Sequence, residues 1–90
     1  MKPVRWTMHA LANLAEREID RAEAERAIAE PDRTAPGHGG RLMLLRRYED
    51  RALHQDMLLC VVAEDRADER VIVTLYKTSK LDKYLQRSSP

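Results

Sequence analysis

Hydrophobic positions repeat with the period of a helix near the start of the chain. The repeat covers residues 8–15, and Thr7, a good N-cap residue, stands directly before it. The apolar stripe that we expect to face the core consists of Met8, Leu11, Leu14 and Ala15. The pattern predicts a first amphipathic helix.

A second helix is predicted to begin after Asp20. Asp20 and Glu23 have the spacing of a capping box, with Asp in place of Ser or Thr. The apolar stripe of this helix consists of Ala24, Ala27 and Ile28. Pro31 ends it, because the residue before a proline is pushed out of helical geometry.

The periodicity changes after residues 31–40, a stretch rich in proline and glycine that we interpret as a loop. Short segments of apolar or β-branched residues follow and predict strands, with connections short enough for hairpins. These segments are residues 41–49, 57–63 and 70–77. They predict an antiparallel three-stranded sheet, covered by the helices on one side.

The whole pattern predicts the fold class. Ser79 and Asp82 again have capping-box spacing, which predicts a short helix over about residues 80–87. We therefore expect an α+β fold, with two N-terminal helices packed on a three-stranded antiparallel sheet and a short C-terminal helix. The length of 90 residues predicts a single domain, 1–90, with a core from about 4 to 86.

Charge narrows the classes of function. Charged residues make up 34% of the chain, yet the net charge is +1, which argues against a strongly basic nucleic-acid module and against an acidic disordered tail. The segments Arg41 to Arg51 and Lys77 to Arg87 are nevertheless basic. Folding could bring them together as a phosphate-binding face, or they could form ordinary solvated surface.

The sequence predicts no membrane segment, disulfide, metal or cofactor. No apolar run approaches the roughly 18 residues of a membrane span, so we expect a cytoplasmic protein with no membrane partner. Cys60, the one cysteine, lies in an apolar segment and is expected to be buried. None of the three histidines has ligand spacing with another metal ligand.

Several side chains could carry chemistry. His9 falls in the first helical turn, where the helix dipole favours the neutral imidazole, a form that can act as a base. In the third predicted strand, Thr74 and Tyr76 point to one face, where Tyr76 could stack on a base while Arg47 and Lys80 hold phosphates. Each of these side chains also has an ordinary structural interpretation in a helix or a strand.

Three motifs suggest a family. They are Trp-Thr-Met-His-Ala-Leu at residues 6–11, Glu-Arg-Glu-Ile at 16–19 and Val-Thr-Leu-Tyr-Lys-Thr-Ser-Lys at 73–80. In this order they resemble a family of small bacterial domains of unknown function, over about residues 4–84. That family opens with Trp-Thr-x-His-Ala, continues through Glu-Arg-Gly-Ile and closes on a Val-Thr-Val-Tyr strand. It is distantly similar to the RelE and BrnT toxins, which are small α+β ribonucleases of toxin–antitoxin pairs.

The resemblance implies a RelE-like fold and a metal-independent endoribonuclease, in which the 2′-hydroxyl of the RNA attacks the adjacent phosphate. It implies His9 as the acid or base, with Arg17 and Arg47 as catalytic residues that stabilise charge. The implied substrate-binding residues are Arg46, Thr74, Tyr76, Lys77 and Lys80. The implied partners are an RNA substrate and an antitoxin-like protein.

Two positions depart from the family pattern. Asn13 stands where the family commonly has Arg, which removes one candidate phosphate ligand. Glu18 stands where the family commonly has Gly, which tolerates a left-handed helix end. A glutamate in that conformation costs about 1 kcal/mol.

Two other functions stay open. The first is a non-catalytic module of the same fold that binds a partner protein through its exposed sheet face. The second is a self-associating protein whose sheet edges pair across a symmetric dimer. The sequence is compatible with a monomer or a homodimer.

Overall fold

Five strands form one sheet, and two helices pack against it. The computed structural model describes residues 2–81. Its helices and strands are β1 (Val4–Trp6), α1 (Met8–Glu16), α2 (Arg21–Ala29), β2 (Arg33–Pro36), β3 (Leu42–Asp50), β4 (Gln55–Asp65) and β5 (Arg70–Thr78). A short 3₁₀ turn, His38–Gly40, links β2 to β3.

The sheet is mixed, with the strand order β1-β5-β4-β3-β2. The pairs β2–β3, β3–β4 and β4–β5 are antiparallel, whereas the pair β1–β5 is parallel. The β4–β5 pairing shifts register between Val62 and Ala63, as at a β-bulge. Neither helix within residues 2–81 has the length and apolarity needed to span a membrane.

The main core lies between the sheet and the helices. Its sheet side consists of Leu44, Leu59, Val61, Ala63, Ile72 and Leu75, and its helix side includes Ala10, Ala24, Ala27 and Ile28. Full burial of one such leucine or isoleucine contributes about 1.5–3 kcal/mol. The second face of the sheet, opposite the helices, holds a smaller cluster of Leu45, Leu58 and Cys60, with Met43, Tyr76 and Leu81 packed against it.

Both helices begin where their caps predict. The Thr7 hydroxyl accepts a hydrogen bond from Ala10 N at 3.0 Å, and the Asp20 carboxylate accepts one from Ala22 N at 2.9 Å. The predicted stripe of α2 is buried, as expected. The predicted stripe of α1 is correct only at Leu14, which packs against the core. The helix buries Ala10 and Asn13 instead, and Met8 is 87% exposed.

The sheet edge explains why α1 turns a polar residue inward. Helix α1 lies along β5 beyond the end of β1, where the edge of β5 needs hydrogen-bond partners. Asn13 Oδ1 accepts from Leu75 N at 2.9 Å, and Arg17 Nη1 donates to Leu75 O at 2.6 Å. Thr7 N also donates to Ile72 O, at 3.3 Å. Helix α1 therefore takes the place of an edge strand.

A left-handed residue ends α1. Glu18 has φ of 52°, and Ile19 N donates to Leu14 O at 2.9 Å while Glu18 N donates to Ala15 O at 3.4 Å. This pair of bonds is a Schellman motif, in which glycine is the usual left-handed residue.

The predicted fold class is wrong, because the sheet has five strands and is mixed, not three strands and antiparallel. The three predicted strands are present as β3, β4 and β5. Strand β1 was missed because it has only three residues, and β2 because it contains Pro36 and follows Pro31 in a stretch that was predicted to be a loop. The predicted C-terminal helix is not among the elements of residues 2–81, and from Asp82 onward it lies outside the described residues.

Candidate functional site

A cleft of about 540 Å³ lies between β1 and α2, which we call the β1–α2 cleft. It exists because the two helices do not cover the whole sheet: α2 packs over β3 and β4, and α1 lies along β5. Val4 and Trp6 of β1 form one side of the cleft, and Ile28 and Ala29 of α2 form the other. Val4 is 40% exposed, so this apolar surface is open to a ligand.

Cations line the rim of the β1–α2 cleft. Lys2, Arg21 and Arg70 contribute to its lining, against one carboxylate, Glu25. The Arg21 guanidinium lies 5.1 Å from the centre of the Trp6 ring, a cation–π distance. Arg21 also pairs with Glu25 at 3.4 Å, with both side chains more than half exposed, so this ion pair is weak.

Lys2 and Arg70 share one carboxylate beside the cleft. Asp65 Oδ1 lies 3.3 Å from Lys2 Nζ and 3.1 Å from Arg70 Nε. Both cations lower the pKa of Asp65, mainly through its hydrogen bond with Arg70. Two cations against one carboxylate leave this part of the rim with net positive charge.

The outer edge of β1 offers backbone hydrogen-bonding groups. Pro3 O accepts from Arg70 N, and Thr7 N donates to Ile72 O, so the odd-numbered residues of this segment face β5. Val4 and Trp6 therefore direct their N–H and C=O groups away from the sheet, where β1 is the end strand. We call these four groups the outer edge of β1.

Apolar side chains of α1 extend the same side of the molecule. Four large hydrophobic side chains are exposed within residues 2–81, and three of them lie here: Val4 at 40%, Met8 at 87% and Leu11 at 40%. Because β1 and α1 both lie along β5, these side chains form one side of the molecule together with the outer edge of β1. Such clustering is typical of an interaction surface.

A second polar feature lies at the far end of the sheet. Asp50 is 4% exposed, and its Oδ2 accepts from Lys77 Nζ at 2.7 Å and from the Tyr48 hydroxyl at 2.9 Å. Its Oδ1 accepts from Ala52 N and Leu53 N, each at 3.0 Å. The hydrogen bond from Lys77 is the main reason that the pKa of Asp50 falls to about 2, while burial and the bond to Asp50 raise the pKa of Tyr48.

This cluster fixes the turn between β3 and β4 and has its hydrogen bonds satisfied internally. Lys77 Nζ also donates to Glu18 O at 2.9 Å, which ties the end of α1 to the cluster. We therefore interpret it as structural. Within residues 2–81 there is no group of three His, Cys, Asp or Glu side chains arranged to hold a metal ion.

Comparison with known proteins identifies the family. A family model described as a domain of unknown function, DUF4258, matches residues 6–77. The chain belongs to the DUF4258 family. No curated protein and no solved structure shows a significant match to it. Membership confirms the expected assignment to a family of unknown function, while the individual motifs and the likeness to RelE and BrnT toxins stay predictions.

The DUF4258 domain does not bring the three predicted catalytic residues together. His9 is exposed in the first turn of α1, and Arg17, at the end of that helix, donates to the backbone of β5. Arg47 lies on β3, on the second face of the sheet, and its Nη2 donates to Asp56 Oδ2 at 2.8 Å. Strand β4 and strand β5 separate Arg47 from α1, a width of about 10 Å.

The predicted substrate-binding residues of the DUF4258 domain also divide between two faces. Arg46 and Lys77 lie on the helix side, where Arg46 Nη1 donates to Glu30 O at 2.7 Å. Tyr76 lies on the second face, half-buried against Leu45, Leu58 and Cys60. Thr74 Oγ1 donates to Asn13 Oδ1 at 2.7 Å. Lys80 is exposed just beyond β5.

Cys60 is buried as predicted, and burial raises the pKa of its thiol to about 11, which makes it a poor nucleophile.

Sequence reasoning missed the residues of the β1–α2 cleft. The sequence patterns place neither Val4 nor Trp6 on a strand, and they single out no role for Arg21. A signal was present, because Val4 and Trp6 alternate with charged Arg5 and so have the period of a strand. Three residues are too few for that alternation to stand out, and only the pairing with β5 reveals it.

Proposed function

We propose that this DUF4258 domain is a protein-binding module that takes an extended segment of a partner protein at the outer edge of β1. One observation carries the proposal: a strand edge with outward backbone groups and an exposed Val4 lies beside a cleft, and Met8 and Leu11 are exposed on α1, which lies along the same strand β5. An added strand would pair with these backbone groups, as in β-augmentation.

The opposite end of the sheet is a poorer docking edge. Strand β2 contains Pro36, which lacks an N–H, and it follows Pro31. Prolines on an end strand discourage pairing with another chain. Beyond β1, α1 already covers the edge of β5. Pro3 directly precedes β1, but its backbone faces β5, where Pro3 O accepts from Arg70 N at 2.9 Å. Within residues 2–81, the outer edge of β1 is thus an open end whose outward groups include no proline.

A symmetric dimer through β1 is disfavoured by charge. Two copies of β1 paired antiparallel would set Arg5 of one copy near Arg5 of the other, with Lys2 close by. Like charges in such a pair oppose association. A partner of different sequence fits this edge better than a second copy.

The ribonuclease hypothesis, which rests on the resemblance to RelE and BrnT toxins, is our second candidate. An exposed His9 at a helix start favours it, since a general acid or base must reach its substrate. The separation of His9 and Arg47 by two strands argues against a shared site. We therefore place protein binding first.

The test is to isolate a partner and map its contact with matched variants. Tagged wild-type protein is used to capture a partner from a bacterial host, and the purified pair is then titrated. We expect Val4→Pro, which removes an outward N–H, to weaken binding by at least about tenfold, and Val4→Ala to weaken it less. Leu11→Glu is expected to weaken it as well, because it charges the exposed face of α1.

The control variant is Arg47→Ala, on the second face of the sheet, which is expected to bind as wild type does. Thermal unfolding shows that each variant is folded. Loss of binding in Arg47→Ala, with full binding retained by folded Val4→Pro, would place the partner on the second face and overturn the proposal. Light scattering that shows only a homodimer would favour self-association instead.

A further inference from the structure

We infer that the β1–α2 cleft selects an acidic and apolar segment, placing an apolar side chain against Trp6 and a carboxylate against Arg21. This inference rests on the proposed function and names the chemistry of the partner. It concerns what enters the cleft, whereas the proposed function concerns pairing with the outer edge of β1.

The shape of the site predicts the apolar part. A strand added to β1 would alternate its side chains between the two faces of the sheet, as β1 does. Val4 and Trp6 point to the helix side, into the cleft, so the added strand would direct every second side chain there too. Val4, Trp6, Ile28 and Ala29 give that side chain an apolar surface, and the volume of about 540 Å³ has room for a leucine or larger side chain.

The charges of the rim predict the acidic part. Three cations and one carboxylate line the cleft, and the nearby Asp65 is shared between Lys2 and Arg70. Arg21 is the most available cation, because its ion pair with Glu25, at 3.4 Å, joins two side chains that are 57% and 59% exposed. A partner carboxylate can replace Glu25 while the guanidinium stays over Trp6.

Trp6 provides the measurement, because it is the only tryptophan in the chain and it lines the cleft. The probes are two blocked hexapeptides with serine at every second position, so that the remaining three side chains share one face of the added strand. These three are leucine, glutamate and leucine in the acidic peptide and leucine, lysine and leucine in the basic one. The full chain is titrated with each peptide at low salt, and Trp6 emission is followed. We expect saturable binding of the acidic peptide at least about tenfold tighter than that of the basic peptide.

Four variants separate the cleft from the rest of the surface. Ala29→Leu fills the cleft and is expected to weaken binding of the acidic peptide about tenfold or more, whereas Ala22→Leu, on the same helix but outside the cleft, leaves it unchanged. Arg21→Gln is expected to weaken it about threefold. Glu25→Gln is expected to strengthen it by a similar factor, because it removes the carboxylate that competes for Arg21. Opposite effects from the two partners of one ion pair would not follow from a loss of stability.

The two proposals fail in different ways. If Val4→Pro weakens binding of the captured partner while Ala29→Leu and Arg21→Gln do not, the outer edge of β1 binds the partner and the inference about the cleft is wrong. If the acidic peptide binds and responds to Ala29→Leu but the captured partner is insensitive to Val4→Pro, the cleft is a binding site and the proposed edge pairing is wrong. Equal binding of both peptides overturns the charge selection.

Discussion

At the scale of single residues, buried polar side chains satisfy backbone groups that so small a fold leaves open. Asn13 accepts from the backbone of β5, and Asp50 accepts from two amides of the β3–β4 turn as well as from Lys77. Such a group stabilises the fold only while its partners are present, because an unpaired buried charge is costly.

The Asp50–Lys77 pair is expected to contribute to stability in a way that depends on pH. The pKa of Asp50 is lowered to about 2, so its stabilisation is complete above the ordinary carboxylate pKa of 3.8 and is lost as pH falls towards 2. Asp50→Asn should lower the free energy of unfolding by about 3 kcal/mol at neutral pH. Chemical denaturation from pH 6 to pH 2 should show that the difference in free energy of unfolding between wild type and Asp50→Asn becomes smaller below about pH 4.

Asp65 and Glu69 also have lowered pKa values, but both residues are present in wild type and in Asp50→Asn. Their titration therefore does not change the difference in free energy of unfolding between the two proteins. If that difference stays constant from pH 6 to pH 2, the charge of Asp50 does not stabilise the fold.

Glu18 offers a stabilising substitution. Its φ of 52° is one that glycine adopts without strain, and its side chain forms no ion pair with another of residues 2–81. Glu18→Gly should raise the free energy of unfolding by about 1 kcal/mol. Glu18→Ala removes the charge but keeps the Cβ, so it should not raise the free energy of unfolding. Thermal unfolding of the two variants therefore distinguishes an effect of backbone strain from an effect of charge. Equal stability of the two variants would contradict a strained backbone at this position.

At the scale of elements, α1 shows how a helix can complete a sheet. Its Asn13 and Arg17, one turn apart, bind both backbone groups of Leu75. The helix is thereby rotated from the orientation that its hydrophobic pattern predicts: Leu14 still packs against the core, but Met8 and Leu11 face outward. The cap residues and the bounds of both helices could be read from the sequence, because capping depends on local side chains.

The orientation of α1 could not be predicted from the sequence, because it depends on contacts with β5, which lies far along the chain. Strands β1 and β2 could not be read either, since three or four residues carry too little periodicity, and their pairing with β5 and β3 defines them. The candidate site follows the same division. The sequence contains each of its residues, but it does not show that Trp6 and Arg21 are neighbours, because that contact depends on the pairing of β1 with β5.

Removal of the Asn13 side-chain oxygen tests the edge-covering role of α1. Asn13→Leu should lower the free energy of unfolding by about 2 kcal/mol, because Leu75 N loses its acceptor in a buried place. Leu11→Ala, on the exposed side of the same helix, should change it by less than about 0.5 kcal/mol. Urea denaturation compares the two. Similar effects from both variants would contradict the assignment of Asn13 to the edge of β5.

At the scale of the whole molecule, two helices cover five strands incompletely. The uncovered part lies over β1, whereas the strand at the opposite end, β2, contains Pro36, so the two ends differ in how readily they accept another chain. This asymmetry favours a binding module over a closed fold with one internal active site.

Expression in a bacterial host distinguishes the two candidate functions. If protein binding is the function, wild-type expression should leave total RNA intact, and a His9→Ala/Arg47→Ala variant should behave identically. Growth curves and total RNA from both strains provide the measurement. Arrest with RNA cleavage by wild type alone would establish the ribonuclease and displace the binding proposal.

The parallel pairing of β1 with β5 has a consequence for synthesis. Among residues 2–81, the first strand pairs with the last, so its contacts have the longest sequence separation in the sheet. During translation β1 emerges before β5 and has no pairing partner until β5 follows. Closing so long a loop is entropically costly, so β1 is expected to dock late in folding. A nascent or truncated chain without β5 would lack the β1–α2 cleft, and only the finished domain could recruit a partner there.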